Sequence, residues 1–394
     1  MNTTRRGFLT RSAAAALVSL SGPRLTFANL HGTERRFVFV LLRGGLDGLS
    51  AVPAYGDPDY LEARTELALP PPGVQGGMLD LDGFFGLHPS LPGLADRWRA
   101  GELLVVHAQC PPYQGRSHFD AQNVLEHGGT RPYELDSGWL NRALAEVGPG
   151  AGPGGVAIAS AMPLALRGTA EVTSWSPSRL PAPEAGLLDR VARLYRDDAV
   201  LAGAFHRARR ANAVAGDDPT AARAGDLAPL MRAAARFLSA PDGPQVAMLE
   251  AGGWDSHSAQ ERPLAGLGRR YRALDEGLEV LATELGEVWR HTVVVVMSEF
   301  GRTVAMNGSG GTDHGTGGAA FVLGGAVAGG RVIADWPGLK VRDRYEGRDL
   351  RATLDSRALL KGVLVEHLGI GTEALASRVF PDSGRVAPMA NLVV

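Results

Sequence analysis

The residues of this chain that could do chemistry together are Asp47, Ser117, Asp255, His257, Glu299, Asp313 and His314. Each lies just beyond a short apolar run or on the segment that follows one. Together they bring carboxylates, imidazoles and one hydroxyl to what would be a single rim. Oxygen and nitrogen donors without thiolate suit Zn, Mn, Mg or Ca rather than a soft-metal site. Such an ion could lower the pKa of a bound water or of Ser117 and offset charge on a phosphoryl or sulfuryl oxygen. Arg43 and Arg302, beside the same run ends, could grip the remaining oxygens of a small anionic ester. His118, next to Ser117, joins them as a candidate catalytic residue.

Each motif also has a plainer reading. Asp47, between Leu46 and Gly48, fits an ordinary Asp-Gly turn. Ser117 is followed three residues later by Asp120, a capping-box-like signature that would satisfy the free N–H groups of a helix start. The same geometry suits a hydroxyl that attacks an anion beside those donors and the positive dipole end. Asp255 and His257, two apart after a glycine pair, suit a metal or acid–base pair, or a simple loop. His107, at the end of an apolar run, could touch a ligand there or, the plainer reading, be a core histidine.

The elements that must position these residues come from hydrophobic periodicity. Continuous apolar runs at Arg36–Leu42, Glu102–Val106, Val156–Ser160, Gln245–Leu249, Thr292–Met297 and Ala319–Leu323 predict strands covered on both faces of an α/β sheet. In such sheets the loops at the carboxyl ends of the strands make the site. Leu264, Leu267, Tyr271, Leu274, Leu278, Leu281, Leu285 and Val288 recur at spacings of three and four, which predicts a crossover helix packed on the sheet. Shorter helices are expected over Leu91–Arg99, Ser117–His127, Asp136–Val147 and Asp355–Leu368, the last capped by Gly369. From Pro53 to Pro92 the chain is rich in Pro and Gly and reads as a long irregular crossover. Residues from about 184 to 240 are Ala- and Arg-rich and read as a helical excursion, broken at 216–219, that could cap the site.

Composition bounds the function. Hydrophobic residues make up 45% and charged residues 21%, which excludes disorder for the bulk of the chain. A formal net charge of -2 provides no footprint for nucleic acid. Thr4 to Leu9, TRRGFL, followed by the apolar run Ala13 to Leu20, fits a twin-arginine export signal, so the export machinery is an expected partner. That run is too short for a stable membrane span, which needs about 20 apolar residues. Residues 1–28 are then the signal and 29–394 a single α/β domain in the periplasm or outside the cell. The one cysteine, Cys110, cannot form an intrachain disulfide.

The segments FVFVLLRGGLDGLS, GRSHFDAQ, GGWDSHSAQ, MSEFGRT and GGTDHGTGG, in this order, resemble the exported bacterial family DUF1501 over nearly the whole mature chain. That family is grouped with the alkaline phosphatase and sulfatase superfamily. The resemblance implies a three-layer sandwich, a mostly parallel sheet with helices on both faces and metal at the strand ends. It also implies roles: Asp47 as a metal aspartate, Ser117 as the nucleophile, Asp255 and His257 as a metal pair and His314 as a late metal histidine. Departures from the superfamily pattern stand beside these. Asp255 and His257 are closer together than usual, Glu299-Phe300 falls where an Asp-His pair is expected, and Gln114 stands where a sulfatase signature has Arg. One ion, two or none is therefore open. The leading expectation is a metal-dependent phosphate or sulfate ester hydrolase. The alternative is an exported binding or assembly protein that keeps the fold without catalysis.

Overall fold

A computed structural model describes residues 34–150, 152–178, 184–216, 226–260 and 266–394. The twin-arginine segment, its cleavage site after Ala28, all but Gly216 of the break expected at 216–219, and Leu264 lie outside the described residues.

The core is one nine-stranded sheet. Its strands are β1 (Arg36–Arg43), β2 (Leu103–Cys110), β3 (Gly155–Ile158), β4 (Val172–Trp175), β5 (Val246–Gly252), β6 (Thr292–Ser298), β7 (Gly318–Leu323), β8 (Arg331–Ile333) and β9 (Leu354–Asp355). The order is β8-β2-β7-β6-β1-β5-β3-β4, with β9 also paired to β2. All pairings are parallel except those of β7, which runs antiparallel to both β2 and β6. The amino end of β7 therefore meets the carboxyl ends of β1, β5 and β6 at one edge.

Among the described residues, the helices that matter for the sheet and the site are α1 (Gly48–Ala51), α2 (Pro92–Arg99), α3 (His118–His127), α4 (Trp139–Val147), α5 (Ala185–Tyr195), α6 (Ala199–Ala215), α7 (Ala228–Ser239), α8 (Leu267–Leu285) and α9 (Ser356–Leu368). Side chains of a strand alternate between faces, so a strand covered on both sides must be apolar throughout. In β1, Val38, Val40 and Leu42 pack with α2, α7 and α8, whereas Phe37, Phe39 and Leu41 pack with α3, α4 and α9. This is the three-layer sandwich expected from the sequence. Among the described residues no helix is long and apolar enough to cross a membrane.

Three expectations change in detail. β2 continues past Val106 to Cys110 through a register shift, with Ala108 at φ 53, so His107 sits inside the strand, fully buried, with Nε2 3.0 Å from the Val52 carbonyl. A local bulge hides such an extension from periodicity. The helix expected from Asp136 starts at Trp139. The excursion from residue 184 forms three helices; α6 packs on α7 and on the edge strand β4, and Trp175 Nε1 of β4 donates to Asn212 of α6. Its contacts thus run to the sheet edge, where the sequence suggested a cap over the site.

Candidate metal centre

Strand ends supply the floor of the site. Glu299 follows β6 directly and is fully buried; its Oε1 accepts from the Gly44 amide at 2.8 Å, from Gln122 Nε2 at 2.8 Å and lies 2.7 Å from His118 Nδ1. Its Oε2 accepts from the Ser298 hydroxyl at 2.9 Å. Gly44 can bring its amide there because it turns at φ +125, and a Cβ would lie 2.4 Å from the Asp255 nitrogen.

The segment between β6 and β7 folds back on itself. Gly301 donates to the Thr316 carbonyl, Gly315 to the Gly301 carbonyl and Thr303 to the Asp313 carbonyl, and Arg302 and His314 form an antiparallel bridge. A Cβ on Gly315 would lie 2.4 Å from the Arg302 carbonyl carbon, so glycine is required for the two arms to close. The Thr312 amide donates to the Ser256 carbonyl, which ties this loop to the one after β5.

These loops and the start of α3 bring four side chains to one point. His257 Nε2 and His314 Nε2 are 2.9 Å apart, and both lie near Asp255 Oδ1, at 3.0 and 3.3 Å. His118 Nε2 is 3.4 Å from Asp255 Oδ2, yet it is buried and makes no hydrogen bond. Ligand atoms of His118, Asp255 and His314 all lie within 4.8 Å of one another, a spacing that could hold a metal ion. Behind the ring nitrogens, His257 Nδ1 is 3.0 Å from Asp313 Oδ1, His314 Nδ1 is 2.9 Å from the Arg116 carbonyl and His118 Nδ1 faces Glu299. The cluster opens outward: the Glu299 and Arg302 side chains are wholly buried, while those of Asp255 and His257 are 42% and 45% exposed.

Charge is fixed by this packing. Burial would raise the Asp255 carboxyl, but the Arg302 guanidinium, donating at 2.8 Å, and the nearby imidazoles hold it below the usual range. Burial is likewise outweighed at Glu299 by hydrogen bonds from His118 and Gln122. The hydrogen bond to Glu299 raises His118 above an ordinary imidazole, whereas burial lowers His314. Phe300 stacks beside both rings, with centroids 4.8 Å from His118 and 5.2 Å from His314.

His118, Asp255, His257, Glu299, Arg302, Asp313 and His314 are thus brought together. Asp47 turns elsewhere. It caps α1, accepting from the Leu49 and Ser50 amides, and its Oδ2 accepts from Ser50 Oγ, from Arg64 at 2.7 Å and from Gln260 at 2.6 Å. Arg64 and the other donors hold its carboxyl low against the effect of burial. Arg43 is bound to Gln122, Glu126 and Glu250. Ser117 is the N-cap of α3, its hydroxyl 3.5 Å from the Asp120 amide. Gln122 and Arg64 were not singled out from the sequence. Gln122 had a signal, since it lies one turn beyond His118 on the same face of α3; Arg64, in the irregular crossover, had none.

Residues 111–367 match the family described as "Protein of unknown function (DUF1501)". No curated protein matches the chain. Among solved structures, Ps i-CgsB in complex with k-i-k-neocarrahexaose is 10% identical, with 90% of this chain and 77% of that one covered and a TM-score of 0.39. The lipoteichoic acid synthase LtaP from Listeria monocytogenes is 12% identical, with 89% and 76% covered and a TM-score of 0.37. The phosphonate monoester hydrolase of Agrobacterium radiobacter is 12% identical, with 86% and 74% covered and a TM-score of 0.35. Likenesses of this size leave the function to be argued from the chain's own site.

Proposed function

The chain belongs to the DUF1501 family of proteins of unknown function, and we propose that it is a metal-dependent hydrolase of a phosphate or sulfate ester that works in the periplasm after twin-arginine export. The observation that supports this reading most directly is the orientation of three imidazoles. His118, His257 and His314 each commit Nδ1 to a carboxylate or carbonyl oxygen, which only accepts, so the proton belongs on Nδ1. Each then turns the lone pair of Nε2 toward Asp255. Metal-binding histidines are arranged in this way, with the far nitrogen donating to an oxygen that fixes the ring.

The ion would be held by His118, Asp255, His257 and His314, with Glu299 and Asp313 orienting His118 and His257. Three imidazoles and a carboxylate favour Zn or Mn over Mg or Ca, which take oxygen ligands. A divalent ion bound there supplies a Lewis acid that polarises the ester and neutralises its developing charge. Asp47 is left out of the ligand set because its oxygens are already used by Arg64, Gln260, Ser50 and the α1 amides. Arg302 contributes a fixed positive charge against Asp255.

Ser117 is the proposed nucleophile. It directly precedes His118, at the amino terminus of α3, where free N–H groups and the dipole favour an anion. Its Oγ would bond to phosphorus or sulfur as the ester alcohol leaves with a proton. Water would then displace Oγ and release phosphate or sulfate.

One observation favours a second reading. His118, Asp255 and His314 offer ligand atoms within 4.8 Å of one another, and with His257 beside them four protein donors would fill a tetrahedral shell, as in structural sites, where catalytic ones keep a position open. The protein would then be an exported binding or assembly protein with a structural ion. Metal analysis of the exported protein, with a screen against aryl phosphate, phosphodiester and sulfate ester substrates, separates the two. The hydrolase reading expects stoichiometric metal and turnover that falls to background in Ser117→Ala. Stoichiometric metal with no turnover, and a Ser117→Ala protein indistinguishable from wild type, would favour the structural ion.

A further inference from the structure

Arg43 ends β1 at the edge of the site, where the sequence suggests a clamp for the substrate anion. Its guanidinium is otherwise engaged. Nη1 donates to Gln122 Oε1 at 2.5 Å, and Nη2 lies 2.7 Å from Glu126 and 2.5 Å from Glu250. Guanidinium carries only donors, so Gln122 must turn its oxygen toward Arg43 and its amide nitrogen the other way. That nitrogen donates to Glu299 Oε1 at 2.8 Å, the same oxygen that meets His118 Nδ1 at 2.7 Å.

His118 stands between two carboxylates. Glu299 Oε1 faces Nδ1, and Asp255 Oδ2 lies 3.4 Å from Nε2. A neutral imidazole has one proton for the two of them, and only the form with the proton on Nδ1 leaves Nε2 able to bind an ion. The position of Glu299 decides the competition. Its Oε1 is held against Nδ1 by Gln122 from one side and the Gly44 amide from another.

We propose that Arg43 is a positioning residue: by fixing the Gln122 amide it holds Glu299 against His118 and so keeps the proton on Nδ1 and the lone pair of Nε2 in the cluster. Its consequence for ion binding rests on the metal-site reading above; its consequence for the His118 tautomer does not. Removing the Gln122 amide takes away one of the two donors that pin Oε1 in place; the carboxylate can then swing away from Nδ1, which shifts the balance toward Asp255 and the Nε2–H form. Removing Arg43 lets Gln122 rotate and present its oxygen to Glu299, with the same result.

The test uses long-range nitrogen–proton correlation spectra of the His118 side chain in the full metal-free protein, together with Co(II) titration. Wild type should show the Nδ1–H form. Gln122→Met and Arg43→Met should both show a substantial Nε2–H population and about tenfold weaker Co(II) binding, the size expected for loss of an outer partner. Arg43→Lys, which keeps a cationic donor, should restore most of both. Arg43→Met leaves Glu126 and Glu250 without their cation; if it fails to fold, Gln122→Met, which keeps that ion-paired trio, decides the matter. A folded Gln122→Met protein with the wild-type His118 tautomer overturns the proposal. If wild type binds no Co(II), the metal reading fails, while the tautomer spectra still decide the role of Arg43.

Discussion

His257 Nε2 and His314 Nε2 face each other at 2.9 Å, and each ring presents its Nδ1 to an oxygen on its far side. Two neutral rings so held would oppose lone pairs at hydrogen-bond distance. A cation relieves that repulsion, and it can be a proton or a metal ion. Asp255 Oδ1, 3.0 and 3.3 Å from the two nitrogens, adds the negative charge that draws either one in.

Proton and ion should therefore compete, and affinity for a divalent ion should rise with pH. His118 is the residue to follow. Its hydrogen bond to Glu299 raises its pKa in the folded protein. In the metal-free protein its charged form thus contributes stability that is fully present below the ordinary imidazole value, about 6.5, and is lost as pH rises through the raised value. The melting-temperature difference between wild type and His118→Gln should shrink as pH is raised through that window. Co(II) titrations over the same window should tighten with pH and release protons; an affinity that does not change with pH contradicts this.

Glu299→Gln keeps the size of the side chain and removes the carboxylate that orients His118. Loss of such an outer partner costs about 10- to 100-fold in metal affinity. Isothermal titration with Zn(II) reads the change. Asp313→Asn should act in the same direction through His257, and more weakly, because the Asp313 side chain is 50% exposed and its hydrogen bonds compete with water.

Asp47→Ala should damage the fold rather than the ion site. It removes the carboxylate paired with Arg64, whose side chain is wholly buried, and breaking a buried pair by removing one partner costs about 3–5 kcal/mol. Chemical denaturation measures that loss. The metal content of the protein that remains folded should stay at the wild-type level; metal lost from a normally stable Asp47→Ala protein would make Asp47 a ligand after all.

Phe300 is buried against both His118 and His314. Phe300→His should not add a ligand. It should weaken metal binding, because a polar ring then replaces the apolar wall on which the two imidazoles rest. Tighter binding in Phe300→His, measured by the same titration, would show that position to be an ordinary ligand position left empty.

Sequence patterning was a good guide where physical constraint is local. β1 and β6 are apolar on both faces because helices cover both, and a continuous run such as Val293–Met297 has no other comfortable place. The strand ends in turn announced Asp255, His257, Glu299 and His314. Patterning could not assign roles among them, because those depend on donors from distant segments. Glu299 has the residue type of a ligand, yet Gly44, Gln122 and Ser298 occupy its oxygens. Asp47 was expected at the rim, but Arg64 reaches it from a stretch without periodicity. Phe300, which stood where an imidazole was expected, packs 4.8 Å from the ring of His118, a histidine contributed by another element.

The measurement that bears most directly on the central claim is the metal content of the exported, folded protein, by elemental analysis after exhaustive dialysis, for wild type and for His314→Ala. One Zn or Mn per wild-type chain is expected, with a large loss of it in a His314→Ala protein that remains folded. Wild type without stoichiometric metal, or His314→Ala retaining all of it, would contradict a metal centre at His118, Asp255, His257 and His314.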